Sequence, residues 1–172
     1  MAEVGLLAPE ARIELIEGEI IDMAPLGHRH TSVVSGLHDL FARELAGHAL
    51  VWDQGTLQLS ASSAPQPDLV LLEHRKDKYR RSPPLPGNVL LIVEVSESSL
   101  RHDQEVKVPL YAQHNVPEAW IVDVAAPRIH FFHALQAGRY THTSSTMAPG
   151  PVALQSLPGL NIDLTGLLDE LG

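Results

Sequence analysis

Cysteine is absent from the 172-residue chain. That excludes disulfides, thiolate metal sites and a cysteine nucleophile, and it fits a reducing cytoplasm. Aromatic residues make up only 5%, so a core drawn from the 44% hydrophobic residues must rest mainly on Leu, Val, Ile and Ala. No apolar run approaches the ~20 residues needed to cross a bilayer, so no membrane partner is expected. The first stretch, MAEVGLLAPEARIELIEGE, has no basic region ahead of a long apolar one and does not read as a secretory signal. Internal repeats and low-complexity tracts are missing, and no set of His residues has the spacing of a zinc module. Positive charge is scarce too. Twelve Lys and Arg stand against 21 Asp and Glu, a net charge of −9, which taken alone argues against strong non-specific binding to DNA. The one dense basic stretch, HRKDKYRR at 74–81, reads as a solvated loop, although the distribution of charge matters more than its sum.

What is present fits one domain spanning 1–172, with its core at about 12–145. RIELIEGEIIDM (12–23) reads as two short strands around a Glu17-Gly18 turn. From His30 to Ala46, the apolar residues Val33, Val34, Leu37, Leu40, Phe41 and Leu45 recur at helical spacing, and Gly47 supplies a stop. ALVWDQ and TLQLS suggest a second strand pair turning at Gly55. DLVLLE (68–73) and NVLLIVEVSE (88–97) are nearly continuous apolar runs, the pattern of central strands covered on both faces. A second helix is expected within 98–115, with Asp103 as its N-cap and Pro109 either opening or kinking it. EAWIVDV, RIHFFHA and RYTHTSS read as further strands, with HFFH on an edge. The tail offers a short strand and a final short helix. The order predicts an α/β, α+β-like mixed sheet with an N-terminal β-hairpin, two main helices and few crossovers.

Two carboxylates stand out in this frame. Asp68 opens one apolar strand and Glu94 interrupts the other, and a charge in a buried strand is costly unless something pairs with it. Alone, Asp68 reads as a strand start after Pro67, Glu94 as half of a buried ion pair, and Lys107 as a surface helix residue. Together, neighbouring strands ~4.8 Å apart can bring two hard oxygen ligands to one spot, an arrangement that suits Mg²⁺.

PQPDLVLL followed by VLLIVEVSESSLRHDQEVKVPLYAQHNVPEAWIVDV, with IELIEGEIIDMAPLGHRH ahead of them, resembles the Uma-two family of restriction-endonuclease-like proteins in the PD-(D/E)xK nuclease superfamily. The resemblance covers roughly 12–133. It implies a restriction-endonuclease-like core in which Pro67-Asp68 is the PD element and Glu94 the second acid. In the parent pattern a Lys stands two residues after that acid. Here the position is Ser96, and the resemblance implies that Lys107, on the following helix, takes the role. The implied site is then Asp68, Glu94 and Lys107, with Mg²⁺ (or Mn²⁺) held by Asp68, Glu94 and the Val95 backbone carbonyl. The implied activity is metal-dependent endonucleolytic hydrolysis of DNA phosphodiester bonds, and a homodimer is expected, with the strands near 118–134 offering an edge.

Other residues are weighed around that core. His30, where the first helix begins, is a candidate site-lining residue. Glu14 and Glu19 in the hairpin are candidates for an additional carboxylate, against the default of an exposed strand Glu. Ser96 is a candidate by position. Trp120, Ile121 and Val122 read as core, and Tyr111 as packed with its hydroxyl bonded. Two other functions stay open: a non-catalytic binding or assembly module on a nuclease fold, which the acidic charge and Ser96 favour, and a hydrolase of a small phosphate ester.

Overall fold

The computed structural model describes residues 12–23 and 25–169. The N-terminal stretch considered as a secretory signal and the end of the final short helix lie largely or partly outside these residues. Thr165–Leu168, ahead of that end, form turns.

β1 (Ile13–Ile16) and β2 (Glu19–Asp22) form the expected hairpin, with Ile16 opposite Glu19. The two residues between them, Glu17 and Gly18, both have positive φ, 49° and 90°, as a two-residue turn matched to strand twist requires. α1 (His28–Glu44) follows the apolar stripe and buries Val33, Val34, Leu37 and Phe41. Each such side chain contributes roughly 1.5–3 kcal/mol. β3 (Ala49–Asp53), β4 (Leu69–Glu73), β5 (Val89–Ser96), β6 (Ala119–Asp123), β7 (Arg128–Gln136) and β8 (Arg139–Thr146) form one six-stranded sheet in that order. All its neighbours are antiparallel except β5 and β6. The parallel pair needs a crossover, and the second helical segment provides it. A two-stranded sheet of β9 (Pro151–Ala153) and β10 (Asn161–Asp163) follows β8.

The continuous apolar runs of β4 and β5 are explained by two cores, one on each face. Leu69, Leu71, Leu91, Val93 and Val95 pack with α1 and Ile162. Val70, Leu72, Val89 and Ile92 pack on the other face with Ile16, Leu57, Leu59, Tyr79 and Tyr111. Asp68 and Glu94 belong by alternation to this second face.

Four sequence expectations are corrected. TLQLS is not a strand of a second pair: β3 pairs with β4, and Leu57 and Leu59 donate backbone N–H groups to Pro65 and Ser63 within their own loop. Asp103 is not an N-cap, because the helix starts earlier, behind Ser99. It runs through α2 (Leu100–His102), a π-helical turn (Asp103–Lys107) and α3 (Val108–Gln113). The wide turn closes with Val108 N–H donating to Asp103 C=O, five residues back, which accommodates Pro109 directly after it without breaking the segment. HFFH is not on an edge, since β7 lies between β6 and β8. By the same token 118–134 offers no edge to a second copy. The edges of the large sheet are β3 and β8.

Candidate active site

Extending by one residue the register that pairs Leu69 with Val93 sets Asp68 opposite Glu94, and facing side chains in such a pair stand about 5 Å apart at Cβ. Asp68 is held from two sides. Its Oδ2 accepts the Val95 N–H at 2.8 Å and meets His30 Nε2 at 3.0 Å. His30 comes from the first turn of α1 and is buried, whereas His28, two residues earlier, is exposed.

Across the pair, Lys107 reaches in from the helix. Its Nζ lies 2.8 Å from Glu94 Oε1 and 3.0 Å from Glu14 Oε1, and all three residues are buried. Glu14 comes from β1 and also accepts the Gln66 N–H at 2.8 Å, which fastens the N-terminal hairpin to the loop leading into Asp68. The Tyr111 hydroxyl donates to Glu94 Oε1. Asp103 accepts the Ser99 hydroxyl at 2.7 Å. Asp103, Lys107 and Tyr111 recur every four residues, so one face of the helix carries all three to the sheet.

These groups surround a cavity of about 350 Å³ lined by Glu14, His30, Asp68, Glu94, Val95, Asp103 and Lys107, with Asp22, Glu97 and His102 among its other walls. A larger groove of about 830 Å³ lies between α3 and the β7–β8 hairpin. Its walls include Pro109, Ala112, Phe132 and Tyr140, and Arg139 is its one charged residue. The buried titratable side chains therefore gather in the smaller space.

Charge in the cavity is out of balance: four buried carboxyl groups, with Asp22 and Glu97 at the outer walls, face one ammonium. Burial pushes the Glu94 pKa up to about 8; Lys107 pulls against this, and Asp68 and Asp103 add to it. Burial pulls Lys107 down, but Glu94 and then Glu14 together outweigh it and hold the ammonium charged. Burial also raises Asp103, against the Ser99 hydrogen bond. Each carboxylate binds the protein through one oxygen: Oε1 of Glu14 and Glu94, Oδ2 of Asp68 and Asp103. Among the described residues, His30 Nδ1 and His102 Nε2 are buried without a hydrogen-bond partner.

A family model described as "Putative restriction endonuclease", Uma2, matches residues 2–165. The chain belongs to the Uma2 family. A search of curated proteins gave no match. Among solved structures, the Uma2 chain is similar to "a putative nuclease belonging to DUF820 from Anabaena variabilis ATCC 29413", with a TM-score of 0.73, 14% identity, and 99% of this chain and 97% of that one covered. At that identity the likeness is one of fold.

Of the residues singled out in this Uma2 sequence, Asp68, Glu94, Val95, Lys107, His30 and Glu14 meet at one cavity. Glu19 does not: it is exposed on β2. Ser96 is buried but outside the cavity lining, with its hydroxyl 3.3 Å from that of Ser99. Asp103 as a site carboxylate and Tyr111 as the partner of Glu94 were missed. Their signal was the four-residue spacing from Lys107. Among the described residues, no group of three or more His, Asp and Glu side chains is arranged to hold a metal ion. In this arrangement the Lys107 ammonium lies between two of the acids. The donor set itself still fits a hard divalent cation: hard carboxylate oxygens in excess of the positive charge around them.

Proposed function

We propose that this Uma2 chain is a magnesium-dependent endonuclease that hydrolyses DNA phosphodiester bonds, with Asp68, Glu94 and Lys107 as its catalytic residues. The supporting observation is that Lys107, from a helix, is within 2.8 Å of Glu94, the acid facing Asp68 across adjacent strands. The role vacated at Ser96 thus has a candidate in place.

Asp68 and Glu94 would hold Mg²⁺ or Mn²⁺, with the Val95 carbonyl as a further ligand. The ion, when bound, makes water nucleophilic near neutral pH and draws charge from the phosphoryl oxygens. The chain's own residues do the rest. Lys107 offsets negative charge as it builds up on the phosphate, and its four-carbon stem lets it swing between Glu14, Glu94 and substrate. His30 and the Val95 N–H fix the orientation of Asp68, and Tyr111 fixes that of Glu94.

A second reading, a non-catalytic module on this fold, is favoured by the way Lys107 satisfies Glu14 and Glu94 together. Plasmid nicking in Mg²⁺ or Mn²⁺ separates the two. The wild type should nick, and Glu94→Ala should lose at least about a hundredfold in rate. Equal cleavage by both would remove Glu94 from catalysis, and cleavage by neither would support the module.

A further inference from the structure

We infer that the loop at residues 74–81 is a docking surface for the phosphate backbone of duplex DNA, separate from the acidic cavity. The inference rests on DNA as the substrate of that cavity. Five of the chain's twelve Lys and Arg fall within it: Arg75, Lys76, Lys78, Arg80 and Arg81. Arg75 is committed to Asp77 at 2.8 Å and stacks over the Tyr79 ring at 4.3 Å. The other four are exposed, and none makes an ion pair among the described residues.

The loop is built, not slack. Lys78 and Tyr79 both have positive φ, 50° and 57°, a conformation disfavoured for residues with a side chain. It is held by Lys78 N–H on Arg75 C=O and Arg80 N–H on Asp77 C=O, both at 3.0 Å. Tyr79 is buried and its hydroxyl donates to the Glu73 carbonyl at 2.9 Å. The effect is to hold unpaired cations outward on a fixed frame.

Its position suits a duplex. Tyr79 packs in the same core as Tyr111, whose hydroxyl bonds Glu94, so loop and cavity lie on one face of the sheet. They sit at opposite ends of β4, and five residue steps from Asp68 to Glu73 span roughly 17 Å. At about 3.4 Å per nucleotide along a strand, one duplex over the cavity would reach the loop about five nucleotides away. A cavity walled by Asp22, Glu97 and four buried acids repels a polyanion, so positive charge must be supplied elsewhere, and this is where the chain concentrates it.

The test is fluorescence anisotropy of a labelled 24-mer duplex in EDTA, over a KCl series. The protein is used as the wild type and as the fourfold variant Lys76→Gln, Lys78→Gln, Arg80→Gln, Arg81→Gln. The expected result is binding by the wild type, with at least tenfold weaker binding by the fourfold variant. Its log–log salt slope should be shallower by about 0.9 for each phosphate that is no longer neutralised. Equal affinity and slope for the wild type and the fourfold variant, or no duplex binding by either, overturns the inference. So does a fourfold variant that changes its sedimentation but not its DNA affinity, because the loop would then be an interface between protein chains. Binding as expected with no cleavage by the wild type would leave this surface standing and sink only the catalytic reading.

Discussion

Lys107→Met is the most informative single change. The side chain it replaces is 4% exposed and lies between Glu94 Oε1 and Glu14 Oε1 at 2.8 and 3.0 Å. Methionine matches its length and fits an apolar surround, so the loss is chiefly electrostatic. Removing one partner of a buried ion pair costs about 3–5 kcal/mol, and here two carboxylates lose the same partner. For a chain of this size that is a fall in Tm of roughly 6–20 °C. The loss should depend on pH. Without the ammonium, burial, Asp68 and Asp103 all push the Glu94 pKa up, with nothing of comparable size opposing them. A folded-state pKa raised above the unfolded value gives stability that is present at low pH and lost as pH rises. The variant's deficit should therefore narrow towards pH 5 and widen above pH 8. Excess Mg²⁺ should restore part of it by binding the folded state alone. Urea unfolding of both proteins in EDTA and in Mg²⁺, at several pH values, measures all three effects. A deficit of about 1 kcal/mol or less, the worth of an exposed ion pair, with no change across pH, would refute the premise that these acids are buried charges in need of a cation.

The wild type carries a related signature. The Glu94 pKa rises from 4.5 to about 8 on folding, so its contribution to stability is complete below about pH 4.5 and is lost as pH climbs through 8, with an upper bound of about 5 kcal/mol. In EDTA, wild-type stability should fall more steeply between pH 5 and 9 than that of Glu94→Gln; an equal or flatter slope would contradict the assignment. Gly55→Ala probes the scaffold instead. A Cβ there would intrude on the Trp52 indole nitrogen and lie 2.7 and 2.8 Å from two ring carbons. The indole must leave its edge-on packing against Tyr79, at a cost of about 1–3 kcal/mol, read by denaturation and by Trp fluorescence. Unchanged stability and emission would show that the turn yields freely.

Much of this architecture was legible because burial leaves its mark on composition. DLVLLE and VLLIVEV could be apolar at nearly every position only if both faces were covered, and the two cores cover them. Asp68 and Glu94 were visible for the same reason, as charges where an apolar pattern has no place for them. TLQLS misled because alternation reports which side chains face inward, not where the backbone bonds. Leu57 and Leu59 are buried as a strand would have them, yet their N–H groups turn back to Pro65 and Ser63. Asp103 misled because an acid near a helix start is usually a cap, and the residue that begins this helix is set four positions earlier. Glu14 was one of two similar hairpin acids; the docking of the hairpin distinguishes them, since it buries Glu14 against Gln66 and Lys107 and leaves Glu19 exposed.

The protein also contains its own control for what a buried acid needs when its role is structural. Glu118 is buried and its pKa is raised by desolvation. Both of its oxygens are bonded, Oε1 to Trp120 Nε1 at 2.7 Å and Oε2 to Gln155 N–H at 3.0 Å. Asp123 is bonded through Oδ1 alone, which accepts two backbone N–H groups at a turn. Both acids stand singly and stabilise the chain around them. The cavity acids are arranged differently: Glu14, Asp68, Glu94 and Asp103 are gathered at one cavity around the single ammonium of Lys107. For stability alone such a cluster is a poor solution, since well-packed apolar residues of similar volume often do as well as a buried ion network or better. Six of the ten buried polar residues among those described nevertheless line this one cavity. That gathering of buried acids, with more negative charge than one ammonium offsets, is the physical reason to test for cation-assisted hydrolysis here and not in the larger groove.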